Sequence, residues 1–192
     1  SAGVVEGIDL NRTKEIADAI APYGVAIAQH GISGTPLEKV KAFRQYGIRK
    51  GNVATLFQNV VFGLEMDQDT GNAVIKDGSY VKDPSRGVSL ELWNRMVEWC
   101  DSKGMSRKSG DYKKLNLPFH DAIMEEPEHI KERIVEEIAW WAERFIKAFG
   151  AEGTAEKVLE VALRRRDHNA SPERKILGLR AQYGPEIIPL PT

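Results

Sequence analysis

Hydrophobic positions along the chain fall into two regimes, and the change comes near residue 60. Residues 11–21 read as a first helix, with Asn11 as its cap and Ile16 and Ile20 on one face at a spacing of four. Pro22-Tyr-Gly24 stops it. Val25-Ala-Ile-Ala-Gln-His30, bounded by Gly24 and Gly31, then reads as a short buried strand ending on a histidine. Thr35-Pro36-Leu37-Glu38 has the residues of a helix start: a hydroxyl cap, proline at the first position and a glutamate to close a capping box. Leu37, Val40 and Phe43 line one face of that helix, which stops at Gly47. Ile48 to Thr55 reads as a second strand. Helix, strand, helix, strand within about 45 residues is a parallel α/β unit with short connections.

Beyond residue 60 the strand signals fade. Residues 63–88 carry Gly63, Gly71, Gly78, Pro84 and Gly87 and read as a long excursion. Residues 89–100 are amphipathic, with Leu92, Met96 and Trp99 at helical spacing behind Ser89 as cap. Residues 101–116 are polar and basic and read as a mobile loop carrying Lys108, Lys113 and Lys114. From Pro127 the longest stripe begins: Ile130, Ile134, Ile138, Trp141, Phe145 and Phe149 recur on one helix face up to Gly150. Thr154 is a cap for a further helix, with Val158 and Val161 inward and Arg164-Arg165-Arg166 at its end, where cations suit the dipole. The tail from Ser171 to Thr192 carries four prolines and is expected to wrap over a neighbour or lie on the surface. The chain thus divides at residue 62 into an α/β part (1–62) and a mainly helical part (63–192).

Composition narrows the class. With 192 residues, 42% apolar and 29% charged, the chain has the make-up of a globular protein of one domain or one domain with an appendage. A net charge of −1 gives no support for a nucleic-acid or membrane-surface partner. Cys100 is the single cysteine, which excludes an internal disulfide and a cysteine metal cluster. No apolar run approaches a bilayer span and no signal-peptide pattern is present, so the expectation is a soluble, cytoplasmic chain.

Candidate chemistry gathers after the first strand. A histidine at the carboxyl end of such a strand lies where α/β proteins place their sites. Gly31, Ser33 and Gly34 follow it at once with unhindered backbone N–H groups and a hydroxyl, the groups that hold a phosphate. A capped strand whose histidine is merely hydrogen-bonded fits the segment equally well. Two parallel strands do not make a stable sheet with both faces covered. Further strands are therefore expected from another chain or from upstream sequence.

The run His30-Gly-Ile-Ser-Gly34-Thr-Pro, followed by Gly47-Ile-Arg-Lys50-Gly-Asn52-Val-Ala-Thr55-Leu, resembles the end of a class II, metal-dependent fructose-bisphosphate aldolase barrel. Phe57-Gln58-Asn59, Tyr112-Lys113-Lys114, Pro118-Phe119 and the long amphipathic helix resemble the C-terminal region of the longer members. The resemblance covers roughly residues 1–150. It implies a TIM (β/α)8 barrel, of which this chain supplies the last two strands, plus a helical C-terminal extension. It further implies reversible cleavage of fructose 1,6-bisphosphate to dihydroxyacetone phosphate and glyceraldehyde 3-phosphate, a glycolytic lyase reaction using Zn2+ or another divalent metal. Under it His30 matches a metal ligand, Gly31, Ser33 and Gly34 match a phosphate-holding turn, and Asn52 and Thr55 match substrate contacts. Lys50 sits within the motif as a structural residue.

Several positions depart from the family pattern. Ala54 stands where an Asp is common, which is closer to the tagatose-bisphosphate branch, and Ile32 stands where the commonest turn has glycine. A further histidine ligand is expected in the loop that matches Ser1-Ala2-Gly3, where there is none. The remaining ligands and the aspartate acid/base match positions mostly upstream. The implied partners are a phosphorylated ketose, other copies in a dimer or tetramer, and a companion chain carrying the rest of the barrel. Rival readings are a tagatose-bisphosphate or other ketose-phosphate aldolase, and a non-catalytic relative that keeps the barrel end for assembly. His120, His129 and His168 read as surface or packing residues, and Trp140-Trp141 as core or interface. Lys113 and Lys114 also suit a loop closing over substrate, and Arg164 to Arg166 a second phosphate.

Overall fold

A computed structural model describes residues 8–108 and 110–169, without the side chains of Asp111, Lys113 and 164–169. The loop Ser1-Ala2-Gly3, the side chains of Arg164 to Arg166 and His168, and the tail from Ser171 lie outside that description. The chain divides into a unit ending at Gly150 and a second beginning at Ala151.

Helix α1 spans Leu10–Ile20. Its cap is Asp9, not Asn11: the Asp9 carboxylate accepts from Arg12 N at 3.0 Å, and the Thr13 hydroxyl donates to Asp9 O at 2.7 Å. An extended backbone at Asp9 lets its short side chain reach the third amide of the helix, while Asn11 is already inside it. Strands β1 (Ile27–Gln29) and β2 (Ile48–Gly51) pair in parallel. β1 is shorter than the pattern predicts and is not buried: Val25 is 56% exposed, and Ala26 and Ala28 lie open as well. Apolar composition marks the strand, but among the described residues no layer covers its second face.

Helix α2 (Leu37–Ala42) continues into a 3-10 turn at Phe43–Tyr46, which Gly47 ends. The expected Thr35 capping box does not form. Pro36 itself occupies the cap position, and the buried Thr35 turns back through its own N–H to Ile32 O at 2.9 Å. Val40 and Phe43 are fully buried, as the pattern predicts.

The second expected strand ends at Gly51, and Thr55 begins helix α3 (Thr55–Phe62) instead. The run Leu56 to Phe62 is apolar nearly all round because α3 is enclosed, so its periodicity carried little information. Residues 63–88 are not a loose excursion either. Strands β3 (Ile75–Lys76) and β4 (Ser79–Tyr80) form a hairpin about Asp77-Gly78. Bridges Leu64↔Lys82 and Met66↔Ala73 tie the preceding segment to it, and Leu64, Met66 and Val88 are buried.

Helix α4 (Leu90–Ser102) starts at Ser89, whose hydroxyl accepts from Leu92 N at 3.2 Å. The same hydroxyl donates to the buried carboxylate of Glu126 at 2.7 Å, joining α4 to a segment 37 residues further on. The basic stretch 101–116 is only partly a loop: a 3-10 helix at Gly110–Asn116 buries Tyr112 and Leu115, two apolar anchors among its lysines. Helix α5 covers His120–Met124 and α6 covers Glu128–Ala148. The α6 stripe is as predicted, and it spans two cores. Ile130 and Ile134 pack with Phe62, Leu92 and Met96, whereas Trp141 and Phe145 pack with Ile32, Phe43 and Leu56. Ile138 touches both.

In the second unit, helix α7 spans Ala155–Asn169. The Thr154 hydroxyl donates back to Ala151 O at 2.6 Å, and its carbonyl accepts the first helical bond from Val158. Val158 and Val161 are not inward: they are 63% and 42% exposed. The described residues form an α/β chain of mostly helical content with two small sheets. No helix among the described residues is long and apolar enough to cross a membrane.

Candidate functional site at the strand ends

The carboxyl ends of β1 and β2 bring together residues 22 positions apart. Asn52 N donates to Gln29 O at 2.9 Å, extending the parallel ladder one step beyond β2. This sets the side chains of His30 and Asn52 side by side. The Asn52 amide nitrogen lies 3.0 Å from His30 Nδ1 and 3.3 Å from Nε2, so it faces the ring edge between the two nitrogens. His30 is exposed and Asn52 half-buried, and Gln29 Nε2 donates to His30 O at 2.8 Å.

The turn after β1 is shaped from three directions. Ser33 Oγ accepts from Ala54 N and Leu56 N, each at 3.3 Å, at the start of α3. Gly34 N donates to Thr70 O at 3.0 Å, and Leu37 N to Asp69 O at 3.4 Å. Gly34 has φ +91°, and a Cβ there would sit 2.6 Å from Asn72 Oδ1, so only glycine fits without strain. Its N–H is therefore not one of the open donors expected for a phosphate; its place in the turn is conformational. Among the described residues the amides of Gly31 and Ser33 have no backbone partner. Together with the N-terminus of α3, they make this corner electropositive. Thr55 is the first residue of that helix.

Loop 67–72 is the part that sequence reasoning missed. The Asp67 carboxylate accepts from Asp69 N at 3.1 Å, Thr70 N at 2.8 Å and Thr70 Oγ1 at 2.7 Å. The Thr70 hydroxyl, followed by this loop's amides, holds the Asp67 carboxyl below the usual carboxylate range against a small opposing effect of burial. Buried Asn59 on α3 donates to Gly71 O at 3.1 Å, so α3 anchors the loop that in turn holds Gly34. The Asp-x-Asp-Thr-Gly-Asn run at 67–72 is rich in turn formers, the one signal that pointed to it.

A catalytic divalent metal takes about three protein ligands and keeps an open position. The described residues bring one imidazole to this corner, and no group of three histidine, cysteine or carboxylate ligands forms among them. They do not by themselves fit such an ion. His120 is exposed beside Asp121, its Nδ1 2.9 Å from Oδ1, and His129 is exposed on α6. Trp141 is core, while Trp140 is 45% exposed and stands edge-on to it, with the Arg144 guanidinium over both rings.

His30 and Asn52 thus lie at the carboxyl ends of two parallel strands, beside a glycine turn and the N-terminus of α3. The family model for class II fructose-bisphosphate aldolase matches residues 2–154, and the chain belongs to that family. No curated protein and no solved structure matches the chain.

Proposed function

We propose that this chain provides the carboxyl-terminal part of a class II aldolase that cleaves a phosphorylated ketose. Fructose 1,6-bisphosphate is the first candidate substrate and tagatose 1,6-bisphosphate the second. The observation that carries the reading is the 3.0 Å approach of the Asn52 amide to His30, beside the open amides of Gly31 and Ser33. Family membership supplies the reaction class.

Residues 1–62 would form the last two strands of the barrel and residues 63–192 the extension. Support comes from the open second face of the β1–β2 sheet, where Ala28 and Lys50, opposite each other, are both exposed. Segments from outside these 192 residues would cover it. Each local residue has a task in that reading. Gly31 N–H, Ser33 N–H and the Ser33 hydroxyl bind a substrate phosphate, and Asn52 positions the His30 ring and touches the ketose oxygens. His30 would be one ligand of a divalent ion whose other ligands come from the completing segments. A divalent ion held there would supply Lewis-acid polarisation of the ketose oxygens. Phosphate binding away from the broken bond would hold the carbonyl in place.

The test is aldol cleavage of both bisphosphates by the protein with its completing segments. Chelation should abolish cleavage and zinc restore it, and His30→Ala should lower kcat/KM at least about 100-fold. Chelator-insensitive cleavage sinks the metal reading. No cleavage of either sugar by the assembled, metal-loaded protein points instead to an assembly role.

A further inference from the structure

The register of the two parallel strands changes at one point. Ile27 lies opposite Ile48, but Ala28 lies opposite Lys50, which makes Arg49 an extra residue on β2. A bulge of this kind reverses the facing of the residues beyond it. Ile48 is 1% exposed, packed in the core with Ile32 and Phe43. Regular alternation would send Lys50, two residues on, into that same core. The bulge turns it to the other face, and the Arg49 guanidinium, donating to Arg44 O at 2.6 Å, holds the extra residue in place.

Three observations fix that face. Asn52, two residues beyond Lys50, meets His30 through its side chain. Gly51, between them, faces the core, because a Cβ there would lie 2.3 Å from Phe149 and 2.4 Å from Ile32. Ala28, opposite Lys50, is exposed, whereas Ile27 and Gln29 on either side are half-buried. Ala28, His30, Lys50 and Asn52 therefore share the uncovered face of the sheet. Lys50 stands one two-residue repeat, about 6.6 Å, behind Asn52. Among the described residues its ammonium has no ion pair and no hydrogen bond, and this face presents no acid to it.

We propose that Lys50 is the docking charge of this face and pairs with an Asp or Glu carboxylate on the strand segment that covers it. The inference rests on the reading above, in which segments from outside these 192 residues complete the barrel. A covered ammonium needs hydrogen-bond acceptors or an opposite charge, and a carboxylate supplies both. A second copy of this chain packed face to face is the wrong occupant, because the same face, with Ala28, His30, Lys50 and Asn52, offers no acid. Lys50 is a positioning residue here, fixing the covering strand at the level from which its next residues reach His30 and Asn52.

The test uses the protein isolated from its native source together with any accompanying polypeptide. A water-soluble carbodiimide joins a lysine amine to a carboxyl in direct contact, as an amide formed with loss of one water to the reagent. Peptide mass spectrometry should find Lys50 joined to an Asp or Glu outside these 192 residues. Lys50 should also be acetylated by an N-hydroxysuccinimide ester at least tenfold more slowly than exposed Lys76. Diethylpyrocarbonate, reporting on His30 against exposed His129, separates the two ways of failing. If His30 is protected while Lys50 forms no cross-link and is acetylated as fast as Lys76, the docking role is wrong and the barrel reading stands. Open His30 together with open Lys50 overturns both. A cross-link to Glu173 or Glu186 of this chain, or to a second copy, overturns the choice of occupant. Lys50→Glu should weaken assembly at least tenfold without changing the Tm of the isolated chain, in which the side chain is exposed. Unchanged assembly in that variant overturns the inference.

Discussion

The hydroxyl of Ser33 caps helix α3 from a distance, accepting from Leu56 N at 3.3 Å across 23 residues of chain and from Ala54 N at the same distance. Ala54, at the cap position itself, has no side chain able to do this. A hydroxyl has two acceptor sites and one proton. With its oxygen turned to the helix amides, Ser33 keeps its O–H to donate outward, the polarity that an anionic ligand needs. The turn after β1 and the helix after β2 are therefore one construction.

Ser33→Ala should cost about 1 kcal/mol, the usual worth of a helix cap, read as a lower denaturant midpoint at unchanged slope. Ser33→Thr should retain most of the stability. Equal midpoints for wild type and Ser33→Ala would show that the cap carries no energy.

Gly34→Ala combines a left-handed backbone with a clash against Asn72. A loss of about 1–2 kcal/mol is expected from such an incompatible position. Adding Asn72→Ala should recover only part of it, because the backbone strain at φ +91° remains. Full recovery would mean that the clash alone mattered.

Asp67 links acidity to the site. Its folded carboxyl is held below the ordinary range, first by the Thr70 hydroxyl. The stabilisation is therefore complete above the unfolded carboxylate value, about 3.9, and is lost as pH falls through the folded one. Thr70→Val should move that acid loss to higher pH. Because Gly34 N donates to Thr70 O, Asp67→Ala should speed hydrogen exchange at the Gly34 amide, measured by NMR.

Lys82 is half-buried, and its ammonium donates to Asp83 O at 3.0 Å and to Arg86 O. Burial pushes its pKa down to about 8, with Arg133 adding to the effect and Asp83 opposing it. The unfolded chain then binds more protons between about pH 8 and the unperturbed lysine value near 10.4, so stability should rise with pH across that window. Below pH 8 the penalty is fully present. Denaturant titrations of wild type and Lys82→Met at pH 7.5 and 9.5 check the sign: the mutant should lose the upward slope.

Local patterns were enough wherever a residue's neighbours lie close in sequence. The α6 stripe from Ile130 to Phe149 and the Ser89 cap were legible because helical period and capping act within a few residues. The strand–glycine turn–helix order around His30 was legible too, and so was the family it belongs to. Other features depend on partners far along the chain. Enclosed α3 gave no amphipathic signal, and loop 67–72 looked like an excursion until Asn59 and Gly34 were seen to hold it. The fate of the Gly34 N–H and the facing of Lys50 belong to this second kind. A hydrogen bond to Thr70 and one extra residue at Arg49 set them, and neither follows from a period of 2 or 3.6. Chemistry-bearing residue types can be read from the chain, because composition and spacing are local; which of them meet depends on register and long-range hydrogen bonds that exist only after folding.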